Sequence, residues 1–265
     1  VRQEVAAALK QFNEQFLLPS RSRREALLQQ LDEGGLTEDE VPRDILTVLL
    51  ANRANQDLDD DMILREVAFF MQAGSHSSAN ALTHSFHEIN EWCRGHPEDR
   101  ARLLTDDHFL QRSVHESLRL HPASPVAWRT ASEAFSLPDG TDVAEGDSVV
   151  IDLMSANLEA PLFGEDAEVF NPHRTVAARI PPFGLSFGIG IHTCFGRDIA
   201  GGLGDAKTKG EAPHLGTLTN LLKNLMQHDA RPDPANPAVA DAGTERPNWG
   251  SYPLMIGQRT THAGA

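Results

Sequence analysis

The chain has 265 residues, of which 40% are hydrophobic, and it is therefore long enough to bury a sizeable core as one large domain or two ordinary ones. A formal net charge of -15 argues against nucleic acid and against anionic membrane surfaces as partners. The longest apolar stretch near the middle, residues 62–73, is interrupted by Arg65 and Glu66, so no membrane span is expected. Residues 1–10 have a mixed polar and apolar helical pattern that differs from a signal peptide, and we expect a soluble, cytoplasmic protein.

The first third of the chain has helical patterns. Residues 1–18 and 22–31 predict two helices separated by Pro19, and residues 37–40 form a candidate helix cap. From Asp59 to Cys93, apolar or small residues recur at spacings of three and four, which predicts one long buried helix. Cys93 belongs to this stripe and is interpreted as a core residue. With only two cysteines in the chain, a disulfide framework is not indicated.

The pattern changes after a further predicted helix, residues 106–120, which His121-Pro122 ends. Residues 135–137 and 148–153 have strand character. A helix is expected behind Cys194, stopped by Gly201, Gly202 and Gly204, with a last helix at 215–227 and a strand candidate at 252–256. No internal repeat is visible, so we expect a single, mainly α domain over residues 1–265 with a minor β-sheet.

The residues from Phe187 to Gly196 carry the most chemical information. Cys194 lies between closely spaced glycines, with Gly188 and Gly190 before it and Gly196 after it. Glycines permit sharp turns, and a helix beginning behind the sulfur favours its anion, so the pattern indicates a thiolate offered to a metal. The alternative is a buried structural cysteine in a glycine-rich turn.

This segment resembles the haem-binding loop of the cytochrome P450 family, Phe-x-x-Gly-x-x-x-Cys-x-Gly. Phe187, Gly190, Cys194 and Gly196 fill its fixed positions. The resemblance implies the P450 fold and haem b (iron protoporphyrin IX), with Cys194 as the axial ligand of the iron. A thiolate ligand favours cleavage of the O–O bond.

Two further motifs of the family follow in the family's order. Glu116-x-x-Arg119 resembles the Glu-x-x-Arg helix, and Arg174 ends a Phe-x-Pro-x-Arg segment, so the three side chains resemble the family's structural ion network. On its own, a Glu-x-x-Arg spacing is also typical of ordinary exposed pairs. Arg129 and His192 match positions from which family members contact the haem propionates; the alternatives are a surface arginine and a solvated loop histidine.

The long helix carries the largest substitution in a family motif. Family members usually have Ala/Gly-Gly-x-Asp/Glu-Thr-Thr on the helix that crosses the oxygen-binding face. Here Gly74 fits, His76 replaces the acid and Ser77 replaces the threonine. Serine keeps a hydroxyl and histidine can carry protons, so Gly74, His76 and Ser77 are the candidate oxygen and proton-delivery residues. The alternative is that His76 packs or is solvated while water relays the protons. His84 and His87, three residues apart, are interpreted as structural because no third metal ligand lies nearby.

The resemblance covers almost the whole chain as the C-terminal portion of a P450 of the soluble bacterial type, without the helices that precede this portion in the family. It implies a monooxygenase that takes an apolar small-molecule substrate, O2, and electrons from a ferredoxin or flavodoxin with its reductase. Two alternatives stay open: a peroxide-using or rearranging haem-thiolate enzyme, and a non-catalytic haem-binding or ligand-binding protein.

Overall fold

The computed structural model describes residues 2–203 and 214–257. The chain is about half helical, with small two-stranded antiparallel sheets, which confirms the prediction of a mainly α protein with minor β-structure. Its residues group into two compact units, Val1–His76 and Ser77–Ala265, and the boundary between them falls inside one long helix. The single domain expected for residues 1–265 therefore stays a prediction.

In the first unit, the helices begin with α1 (Arg2–Phe12), a π-helical turn (Asn13–Leu17) and α2 (Leu18–Asp32). The expected break at Pro19 is wrong. This proline occupies the first turn of α2, directly after the π-helical turn, and the helical path continues through it.

The rest of the first unit is organised by two caps. Thr37 and Glu40 form a capping box around a short 3-10 helix, Glu38–Glu40, which confirms the predicted cap. Asp44 caps α3 (Ile45–Ala51) by accepting a hydrogen bond from the Thr47 amide at 2.8 Å. The small core of this unit consists of buried aliphatic side chains: Leu17, Leu46, Leu50 and Ile63.

The predicted long helix is α4 (Asp60–Gly95). Its expected burial holds for Ile63 and from Ala81 onward, where Phe86, Ile89 and Cys93 enter the core of the second unit. The middle of the helix differs, because most side chains from residue 69 to 76 are exposed. Helical periodicity determines which residues share a face, but burial also requires a second element packed over that face.

The second unit is built around α6 (Asp107–Leu120), in which eleven of the fourteen residues are buried. Its core includes Leu110 and Val114 of α6 and Leu218 and Leu222 of the last helix. The other helices among the described residues of this unit are α5 (Pro97–Leu103), α7 (Leu153–Asn157), α8 (Ala160–Phe163), α9 (Arg197–Gly201) and α10 (Thr217–Gln227).

Strands of the second unit pair two by two. The strands are β1 (Val126–Thr130), β2 (Phe135–Ser136), β3 (Asp142–Val143), β4 (Ser148–Asp152), β5 (Arg231–Pro232), β6 (Val239–Ala240), β7 (Trp249–Ser251) and β8 (Leu254–Met255). They pair as β1–β4, β2–β3, β5–β8 and β6–β7, all antiparallel. The strand candidates near residues 135, 148 and 252 are confirmed, whereas β1, β3, β5, β6 and β7 were not predicted. The Gly204 part of the predicted helix stop lies outside the described residues.

Candidate functional site

The loop before Cys194 is held by its own backbone. Gly188 and Gly190 both have φ of +68°, a conformation that side chains with a Cβ rarely adopt. A Cβ on Gly188 would also lie 3.0 Å from the His192 carbonyl oxygen. The Cys194 amide donates to the Phe187 carbonyl at 2.8 Å, which closes the loop into a fixed turn.

Cys194 is exposed, in contrast to the buried Cys93. Two large apolar side chains beside it in sequence are almost fully exposed, Ile191 at 96% and Phe195 at 92%. A Cβ built on Gly196 would lie 3.7 Å from the Cys194 sulfur, so glycine keeps the space beside the sulfur open. The loop therefore presents a thiol within an exposed apolar surface.

An arginine and an aspartate follow the cysteine loop in sequence, Arg197 and Asp198. Helix α9 begins at Arg197, directly behind the loop, as predicted. The pKa of Arg197 is raised by a hydrogen bond to Asp198 and, in addition, by the attraction of the Cys194 thiolate.

Phe187 anchors the start of the loop in the core of the second unit. Its ring packs edge-on against Phe183 at 5.0 Å between centroids. A Cβ on Gly201 would lie 3.2 Å from the Phe187 ring, so a small residue is needed where α9 ends. His115 and Gln111 of α6 both contact the Gly201 carbonyl oxygen, at 2.7 and 3.2 Å. Sequence reasoning did not identify these two polar residues.

The predicted ion network is present and buried. Arg119 contacts both carboxylate oxygens of Glu116, at 2.9 Å from Nε and 2.7 Å from Nη2, and Arg174 Nε adds a third contact at 2.9 Å. The Arg119 and Glu116 side chains are 0% and 4% exposed, which excludes three unrelated surface charges. Burial alone would lower the pKa of Arg174, but hydrogen bonds to Asp166 and Glu116 raise it above its ordinary value.

Arg119 also holds two backbone segments that are distant in sequence. Its Nη1 donates to the carbonyl oxygens of Asn157 and Ala167, both at 2.7 Å. Together with the two contacts to Glu116, the guanidinium therefore makes four hydrogen bonds in a site without solvent access. The network links α6 to the chain that leads toward the cysteine loop.

The candidate propionate partners lie on separate elements. Arg129 is half-buried on β1, paired in register with Val149, and its Nη1 donates to the Trp128 carbonyl at 2.7 Å. His192 is exposed and ends the 3-10 turn Gly190–His192, two residues before Cys194. Their roles stay predictions.

The candidate oxygen and proton-delivery residues occupy one turn of α4. Gly74 and Ser77 are three residues apart and therefore share a face of the helix. Gly74 and His76 are exposed, Ser77 is half-buried, and nothing lies within 4 Å of a Cβ built on Gly74. Gly74 and His76 belong to the first unit and Ser77 to the second. The function of these three residues stays a prediction.

His84 of the same helix is buried and stacks on His121, with 4.3 Å between ring centroids. Burial and the neighbouring His121 lower the pKa of His84 to about 4, and the ring is therefore neutral at neutral pH. Across residues 2–203 and 214–257, no group of three or more His, Cys, Asp or Glu side chains is arranged to hold a metal ion. In the same residues, no helix combines the length and apolarity needed to cross a membrane.

Comparison with known proteins identifies the family. The family model for cytochrome P450 matches residues 2–201, which is more than half of the chain, so the chain belongs to the cytochrome P450 family. Members of this family bind haem.

Curated relatives come from a plant, fungi, a bacterium and human. The chain is 37% identical over 110 residues to cytochrome P450 704C1 of Pinus taeda, covering 38% of this chain and 21% of the relative. It is 28% identical over 195 residues to cytochrome P450 52C1 of Candida tropicalis, covering 62% of this chain and 37% of the relative. The mycinamicin VIII C21 methyl hydroxylase of Micromonospora griseorubida is 30% identical over 138 residues, with coverages of 52% and 33%. The matches thus span about a fifth to two fifths of these relatives' length.

Solved structures agree on the fold. The cytochrome P450 CYP102L1 superposes with a TM-score of 0.65 at 21% identity, covering 97% of this chain and 58% of that structure. Cytochrome P450 TbtJ1 superposes with a TM-score of 0.62 at 20% identity, with the same coverages of 97% and 58%.

Proposed function

We propose that this protein acts as a haem-thiolate monooxygenase, which inserts one oxygen atom of O2 into an apolar organic substrate. The observation that carries the proposal is Cys194, exposed in a loop closed by its own amide and flanked by almost fully exposed Ile191 and Phe195. The buried network of Glu116, Arg119 and Arg174 supports the loop, and membership of the P450 family supports the chemistry.

The donor set of the loop fits haem b. A single thiolate suits an iron whose other ligands come from a macrocycle, and the exposed apolar side chains beside Cys194 offer a surface for a flat apolar ring. Haem also carries two propionates, which need cationic or donor partners when buried. Arg129 and His192 would fill this role, and Phe187, Gly190 and Gly196 would shape the loop around the thiolate.

The bound haem would supply the chemistry of O–O bond cleavage, favoured by its thiolate ligand. Cys194 would hold the iron. Gly74 would leave room on the oxygen-binding face of α4, the Ser77 hydroxyl would donate and accept hydrogen bonds there, and His76 would deliver protons. One oxygen atom enters the substrate and the other leaves as water, which consumes two electrons and two protons.

The two electrons would come from a ferredoxin or flavodoxin and its reductase in the cytoplasm. An acidic chain with a formal net charge of -15 does not favour nucleic acid or an anionic membrane as a partner.

The test is the visible spectrum of the reduced carbon monoxide complex. We expect the wild-type protein to give a thiolate-type band and Cys194→Ser to lose it while some haem remains bound. Cys93→Ala is the matched control, because Cys93 is buried in the core and burial raises the pKa of its thiol to about 11. An unchanged spectrum in Cys194→Ser would overturn the proposal.

A peroxide-using haem-thiolate enzyme is the second candidate. It is favoured by His76 and Ser77, which replace the usual acid and threonine and leave the O2-dependent proton route altered. Turnover with O2 and a reductase system, measured beside turnover with peroxide, separates the two candidates. Turnover with peroxide alone would favour the second.

A further inference from the structure

Asn157 stands out among the buried polar residues because it is fully buried and uses its whole carboxamide. Its Nδ2 donates to the Arg119 carbonyl at 2.9 Å and to the Ser186 hydroxyl at 3.0 Å, and its Oδ1 accepts from the Leu185 amide at 2.7 Å. Its backbone carbonyl in turn accepts from Arg119 Nη1. These partners lie 28 to 38 residues away in sequence.

The contacts continue without a gap into the cysteine loop. The Ser186 hydroxyl also donates to the Leu118 carbonyl at 2.6 Å, and this fixes residue 186 against α6. The Leu185 carbonyl then accepts from the Gly188 amide, and the Phe187 carbonyl accepts from the Cys194 amide, both at 2.8 Å. Asn157 is therefore the link between the buried ion network and the segment that sets the path of the loop.

Gly184 shows how closely this link is fitted. Its φ is +57°, and a Cβ at this position would overlap the Asn157 side chain. The absence of a side chain at residue 184 therefore leaves the space through which the Asn157 carboxamide reaches the Leu185 amide. Close backbone approach of this kind is a reason for glycine that turn propensity alone does not supply.

We propose that Asn157 is a positioning residue that fixes the start of the Cys194 loop, residues 184–187, and through it the direction in which the thiolate is presented. The inference rests on the proposed function only in assigning haem as the group that receives the thiolate. The fixing of the loop itself concerns hydrogen bonds between described residues and has its own readout.

The first measurement is backbone amide hydrogen exchange, compared between the wild-type protein and the Asn157→Ala variant. We expect the Leu185 and Cys194 amides to exchange about tenfold faster or more, because they lose a buried acceptor or the anchor of their loop. Amides of α6 that lie away from this contact, such as that of Val114, should change by less than about threefold. Asn224→Ala is the matched control, because the exposed Asn224 donates only within its own helix.

The second measurement is the reduced carbon monoxide spectrum of the haem-loaded protein. We expect Asn157→Ala to lower the fraction with a thiolate-type band while the amount of bound haem falls much less. Acceleration of all amides by the same factor, or an unchanged thiolate fraction with a loosened loop, would overturn the positioning role. If the Leu185 and Cys194 amides exchange no faster in Asn157→Ala than in the wild type, only this inference is contradicted. A thiolate-type band that persists in Cys194→Ser contradicts the proposed function.

A double substitution tests whether residues 157 and 184 act through one contact, and a milder single variant keeps the proposal testable if Asn157→Ala folds poorly. Gly184→Ala displaces the same contact from the other side, so its effect on the thiolate fraction should not add to that of Asn157→Ala. Ser186→Ala, which removes one partner of the carboxamide and leaves the ion network intact, should give a smaller loss of the same kind. Additive effects of Gly184→Ala and Asn157→Ala would refute a shared contact.

Discussion

Arg119→Lys is a sharp test of the buried network, because it keeps the positive charge and removes the geometry. The guanidinium makes two hydrogen bonds to Glu116 and one each to the carbonyls of Asn157 and Ala167. The single ammonium of lysine cannot span both the carboxylate and the two carbonyls. At least two hydrogen bonds that involve a charged group are therefore lost, each worth roughly 1.5 to 3 kcal/mol.

We expect Arg119→Lys to lower the free energy of unfolding by about 3 kcal/mol or more. Arg119→Ala, which leaves part of the Glu116 charge uncompensated, should lower it by roughly 3 to 5 kcal/mol. Since whole domains are stable by only about 5 to 15 kcal/mol, both variants should also give less folded, haem-loaded protein.

Denaturant unfolding of each variant and of the wild-type protein measures the change in the free energy of unfolding. The control is Arg43→Lys, because Arg43 pairs with Asp39 on the surface, where both side chains are exposed. It should change the free energy of unfolding by less than about 0.5 kcal/mol. A value for Arg119→Lys as small as that of the control would show that the network contributes little to stability, and the reasoning would fail.

Three further outcomes are expected. Glu116→Ala, which leaves Arg119 and Arg174 facing each other without their carboxylate, should reduce haem-loaded protein rather than only slow turnover; normal yield and haem content would contradict this. Because the pKa of His84 is lowered to about 4 in the folded chain, its imidazole binds a proton near pH 6.5 in the unfolded chain but only near pH 4 in the folded chain. Stability should therefore fall as the pH falls through this window, by up to about 1.4 kcal/mol per pH unit, and His84→Gln should flatten the slope in pH-dependent denaturation. His76→Gln should lower O2-supported turnover and release more peroxide, with less effect on the peroxide-driven reaction. The double variant His76→Glu with Ser77→Thr should restore the coupling of O2 consumption to product formation. Unchanged rates, pH profile and peroxide release in His76→Gln would show that His76 has only a structural role.

Local sequence was sufficient for the features that depend on near neighbours. The spacing of apolar residues predicted α4 and α6, the Thr37–Glu40 pair predicted its cap, and the glycine spacing around Cys194 predicted a loop with positive φ angles. Each of these follows from helical periodicity or from the steric freedom of glycine, so a short window of sequence contains the necessary information.

Other features were missed because their cause lies far along the chain. Asn157 carries no local signal, since its importance comes from Leu185, Ser186 and Arg119 arriving at the same buried point. The exposure of the middle of α4 also departs from its periodicity, because burial depends on a second surface.

The sequence by itself determined the family and the helical character, and it singled out the cysteine loop, because these features depend on residue types at fixed short spacings. Only the tertiary structure decided that Cys194 is exposed, that the Glu116 carboxylate is buried between two guanidiniums, and that Asn157 joins this network to the loop. The physical reason is that burial and hydrogen-bond satisfaction depend on the chain as it is folded, where residues separated by dozens of positions exclude water from one another.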